Sequence, residues 1–276
     1  MAKSKKKKKQ TGTPAEKSGK QSPSLPLLQK LEHPRSAVLF AVLLLIYLVF
    51  FYAPLAFEGL ELGGADQISM IGKFHQIWEF QKQTGEHALW NPAMFGGMPF
   101  YHLYKPLAIS IDTFLNGTKF LFNWRIWFLW LGGLGMFFLL RYLKIPVIGA
   151  ALAAFAFIMM PHYQALIAVG HNTKFRALMW TPWVVLTFWH FVNRRTIAGA
   201  LWFGLLFTLL MRTQHYQIIF YVMMFLLFIG IVPYVKMIQT KNWVDFRRFN
   251  LLLIGVVLVT GLAIAQQVLP IKEYTP

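Results

Sequence analysis

Seven apolar runs, each close to the length that crosses a lipid bilayer, constrain this chain more than any motif in it. A spanning helix needs about twenty mostly apolar residues, because no water is present in the hydrocarbon core to satisfy an open backbone. The runs cover 36–57, 124–142, 145–160, 175–192, 196–211, 216–234 and 251–269. The third and fifth are short, which predicts spans that reach into polar neighbours or are irregular inside the bundle. Composition agrees, since 57% of the 276 residues are hydrophobic and only 13% are charged, about half the charged share of an ordinary soluble domain. The expected fold is an all-α integral membrane protein, a polytopic bundle of about seven transmembrane helices.

The charge pattern gives that bundle a direction. The net charge is +17, but Lys3, Lys5 to Lys9, Lys17 and Lys20 crowd the first twenty residues. Most remaining cations flank the apolar runs, so a nucleic-acid interface is not expected. Segment 1–34 is too polar to bury a core and is expected to be a disordered basic tail. With that tail in the cytoplasm, the inner connections are 141–144, 193–195 and 236–250, all short and basic, as the positive-inside rule requires. The domain 35–276 then presents a long first outer segment, 58–123, followed by outer connections at 161–174 and 212–215. A multi-pass protein of the plasma membrane with a cytoplasmic N-terminus is expected. The run starting at residue 36 is too long for the apolar part of a signal peptide, and the absence of cysteine rules out disulfides.

The outer connections hold the unusual residues. Gly63 and Gly64 precede Asp66, a tight turn that places a carboxylate just outside the bilayer, either as a helix cap or as a proton acceptor. After it, 67–84 carries Ile68, Ile71, Phe74, Ile77, Trp78 and Phe80 at helical spacing, consistent with an amphipathic helix in the interface. The stretch LWNPAMFGGMPFYH over 89–102 reads as a rigid packed loop. Its Trp90 and His102 are candidates to meet a sugar or lipid, although aromatic packing is an equal use for the rings.

Two further clusters follow. GHNTK over 170–174 combines His171, Asn172 and Lys174, with Arg176 just beyond; Lys174 reaches the interface or, with its neighbours, clamps a phosphate. RTQHYQ over 212–217 supplies Gln214, His215 and Gln217 to a turn that either faces water or binds a polar head group. A phosphate-binding Gly-rich loop with Lys, a His-Glu-x-x-His zinc motif and a nucleophile elbow are all missing from the sequence, which disfavours the chemistries they support.

Taken in order, Gly-Gly before an acid, LWNPAMFGGMP, GHNTK and HYQ resemble the YfhO family of bacterial membrane proteins, which is similar to the GT-C glycosyltransferases. The match runs from about Arg35 to the last residue, with one extra alanine between the glycines and the acid. The resemblance implies transfer of a sugar from a polyprenyl-phosphate donor to a cell-envelope polymer or lipid on the extracytoplasmic side. It makes Asp66 the catalytic carboxylate, ahead of the competing acids Glu58 and Glu61. From their charge and their side of the membrane, His171, Asn172 and Lys174 are candidates to hold the lipid phosphate, and Gln214, His215 and Gln217 to line the pocket. No cofactor is implied, and a divalent metal is compatible with the chemistry but not indicated. Members of the family are usually far longer, so the chain is expected to be an N-terminal portion. The rival expectation is a transporter or flippase of lipid-linked sugars, or a membrane scaffold; a transporter calls for ionisable groups in mid-span, of which the sequence offers few.

Overall fold

The computed structural model describes residues 33, 35–58, 64–100, 114, 117–118 and 121–274. The basic tail, Glu61, Gly63, Tyr101 and His102 lie outside the described residues, and the readings made of them stay there. Among the described residues the chain is all-α apart from one two-stranded hairpin.

Helix α1 (Arg35–Phe51) runs into the single turn α2 (Ala53–Phe57), and the first outer segment contributes α3 (Ala65–Thr84) and the strands β1 (Trp90–Asn91) and β2 (Met98–Pro99). Then come α4 (Trp124–Tyr142), α5 (Val147–Ile158), α6 (Pro161–Val169), α7 (Asn172–Arg194), α8 (Ile197–Met211), α9 (Tyr216–Gln239) and α10 (Trp243–Tyr274). Among the described residues three stretches are long and apolar enough to cross a membrane, namely Val147–Val169, Tyr216–Gln239 and Trp243–Ala265, while α1 and α8 are shorter apolar helices.

The short third run has a physical cause. Its helix stops at Ile158 and restarts at Pro161 as α6, because proline cannot donate the next helical hydrogen bond but suits a first turn. The connection expected at 161–174 is therefore mostly helix, and its Tyr163, Leu166 and Ile167 are buried. The fourth helix also begins earlier than its apolar run, at Asn172, so the polar GHNTK cluster is its cap and first turn.

Helix α7 is the centre of the bundle, packed against α4, α6, α8 and α9. Its buried side includes Phe175, Met179, Val184, Phe188 and Phe191. Close approach to α4 is possible because α4 carries glycines: a Cβ on Gly132 would strike the Met179 sulfur, and one on Gly135 would lie 2.6 Å from the Trp183 ring. Small residues at a helix contact let backbones approach, which is how helices associate where lipid removes the hydrophobic drive. Trp183 Nε1 donates across this contact to Leu131 O, and Trp130 Nε1 donates to Ala41 O on α1, each at 2.8 Å.

The outer faces of α9 and α10 are apolar and uncovered, with Val232 70%, Leu251 69% and Leu262 78% exposed. Apolar surface on this scale does not face water in a soluble monomer. A lipid bilayer is the environment that these helices fit.

Candidate functional site

Two clusters that lie a hundred residues apart in sequence meet at one end of the bundle. Asp66, in the first turn of α3, has its Oδ2 3.2 Å from Nε2 of His171, the residue that precedes α7. Both side chains are half exposed, 51% and 53%, so the pair is open to a ligand. The first turn of a helix favours negative charge, by about 0.3–1 kcal/mol, and Asp66 lies there on α3 beside the start of α7.

The contact is made by missing side chains. Gly64 sits so close to the end of α6 that a Cβ would collide with the carbonyl oxygens of Ala168 and Val169. On the other side Gly170 closes α6 in the left-handed region, φ +97°, and a Cβ there would lie 3.2 Å from Gln67 Cβ and backbone N. The glycines before Asp66 and before His171 are thus two halves of one backbone-to-backbone joint.

Charge gathers around the joint. Lys174 is half-buried in the first turn of α7, and its field reaches His215, the residue before α9. Burial first, and then the positive fields of Lys174 and His171, push the His215 imidazole below its usual range. His215 Nδ1 accepts the Ile218 N–H at 3.4 Å, so its neutral form carries the proton on Nε2 and can donate from there.

The remaining candidates are placed less centrally. Asn172 and Gln214 are half-buried at the starts of the α7 and α9 region, Gln214 with φ +59°. Gln217 is exposed and donates through Nε2 to the Tyr221 hydroxyl on its own helix, at 3.0 Å. Trp90 is on the hairpin, its indole filling the space where Gly97 lacks a Cβ. The loop read as rigid is this hairpin, pinned on α3 where buried Asn91 donates to Lys73 O at 3.0 Å and Phe100 packs on Phe74. Trp90 therefore belongs farther along α3 than Asp66.

Sequence reasoning missed Gln67 and Arg125. Arg125, only 3% exposed in the first turn of α4, donates from Nη2 to Gln67 Oε1 at 3.0 Å. Its guanidinium and that of Arg176 both lie over the Trp124 ring, 4.7 and 4.4 Å from its centre, a cation–π arrangement that partly offsets burial. The available signal was a cation in a helix's first turn, where the macrodipole opposes it.

Chemically, the arrangement pairs a carboxylate with an imidazole at the end of the bundle that also holds Lys174 and His215, which suits proton transfer next to an anion. For a metal the donor set is thin: among the described residues no three His, Cys, Asp or Glu side chains converge. Comparison with family models, curated proteins and solved structures finds no match.

Proposed function

We propose that this chain is the membrane domain of a GT-C-like glycosyltransferase of the YfhO type, moving a sugar from a polyprenyl-phosphate donor to a cell-envelope acceptor. The observation that carries the reading is the Asp66–His171 contact, 3.2 Å, beside Lys174 and His215. In this reading α1, α4, the α5–α6 pair, α7, α8, α9 and α10 are the seven spans. Basic connections at Arg141–Lys144, Arg194–Arg195 and Lys236–Arg248 set the opposite end in the cytoplasm by the positive-inside rule, which puts Asp66 on the extracytoplasmic side.

The Asp66 carboxylate accepts the proton of an acceptor hydroxyl as that oxygen bonds to the anomeric carbon. The bond from this carbon to the phosphate oxygen breaks, configuration inverts, and polyprenyl phosphate leaves as an anion. Lys174 and the Nε2–H of His215 stabilise the leaving charge. His171, which sequence alone assigned to the phosphate, is assigned here to orienting Asp66, since its ring sits on the carboxylate.

Replacing Asp66 by Asn in the full-length protein, in cells, tests the reading. The expected result is loss of envelope glycosylation at normal protein level, and unchanged glycosylation would refute it.

A further inference from the structure

We infer that Arg125 and Gln67 are positioning residues, a tether that holds Asp66 in register with His171. The inference rests on the catalytic reading of Asp66 only for its effect on activity; the effect on geometry stands independently.

Among the described residues, helix α3 makes few contacts with the rest of the bundle. Its buried residues are Phe74 and Ile77, and its main contacts are with α6 and β1 rather than with the central helices. The hairpin side chains hold its middle, at Lys73 and Phe74. Near Asp66 itself, the backbones meet closely at Gly64 and Gly170. The Arg125–Gln67 hydrogen bond supplies the direction, because it comes from α4, in the core, and ends on the residue next to Asp66.

The cation is well held on its own side. Asn123 Oδ1 accepts the Arg125 backbone N–H at 3.0 Å and fixes the start of α4, while Trp124 lies against the guanidinium. A planar guanidinium pre-organised in this way loses little freedom on binding an amide oxygen. Gln67 also lies opposite Gly170, where an added Cβ would come within 3.2 Å of the Gln67 Cβ and backbone N. One side chain thus meets both α4 and the α6–α7 joint, and a half-turn of α3 in either direction would carry Asp66 away from His171.

Because the chain has no cysteine, a pair can be introduced without background. Ala65→Cys with Ala168→Cys, both exposed on the two sides of the joint, reports docking of α3 through the rate of capture by a short bifunctional thiol reagent in membranes. Gln67→Leu removes the acceptor and should slow capture about tenfold, the range expected for one hydrogen bond to a charged donor. Gln67→Glu keeps an acceptor for Arg125 and should restore the rate; Arg125→Met should repeat the Leu result. Unchanged capture in Gln67→Leu, or failure of Gln67→Glu to restore it, overturns the tether. Glycosylation is read in the same variants without the cysteines. Slow capture with normal glycosylation upholds the tether and refutes the catalytic role of Asp66, whereas normal capture overturns the tether whatever the glycosylation and leaves the catalytic reading to the Asp66→Asn result.

Discussion

The two ends of the central helix α7 use their charges differently. At the Arg194 end, Arg141 and Arg247 donate to backbone carbonyls four residues away, Ile145 O and Trp243 O, and the contact that joins distant elements is the partly exposed pair of Arg195 with Asp245 on α10, at 3.3 Å. At the His171 end, partners come from elements far apart in sequence, α3 with α7 and α3 with α4, and they rest on a joint that admits no side chain. Charges that only mark a membrane face are interchangeable, whereas charges that depend on tertiary contact specify a geometry. That contrast is why the proposed site is placed at Asp66 and not among the more numerous arginines.

The strongest way to break the contrast is to add atoms at the joint. Gly64→Val should undock α3 and destabilise the protein by about 3 kcal/mol, the upper part of the usual range for overpacking, read as a lowered unfolding temperature in detergent. A wild-type transition would mean that the close approach is unimportant. At the other end Asp245→Asn should cost no more than about 1 kcal/mol, the ordinary worth of a partly exposed ion pair. A loss as large as that of Gly64→Val would erase the distinction between the ends.

The smallest expected effect is one of pH. His215 has a folded-state pKa below its unfolded value, so the unfolded chain binds more protons in the window between them. Stability from this residue is present above about 6.5, the unperturbed imidazole value, and is lost as pH falls from there through the lower folded value. The fall in unfolding temperature between pH 7.5 and 5.5 should therefore be shallower in His215→Gln. An equal slope would place the proton-sensitive groups elsewhere.

Much of the bundle was legible because a bilayer imposes a length and a polarity on each span, and both can be read along the chain. The residues 170–174 and 63–66 stood out for the same reason, as polar breaks between apolar runs. That Asp66 and His171 share one end of the bundle was expected from the alternation of spans, but their direct contact was not legible, since the joint is defined by Gly64 against Ala168 and Val169, a pairing with no local periodicity. The helix break at Met159 to Pro161 was half visible, as a span that was too short, but the buried Tyr163 and Leu166 that dock α6 carry no signal beyond apolarity. Arg125 resembled any cation at a membrane edge, and only its burial separates it from Arg141, which is half-buried near the surface.

The joint at Gly64 and Gly170 also bears on how this end of the molecule can be explored. Scanning with alanine subtracts atoms everywhere else, yet at these two positions it is an insertion, and its smallest member is already an obstruction. A survey that ranks positions by what a side chain contributes would pass over a junction whose information is held as empty space. Bulk added one carbon at a time would trace its outline.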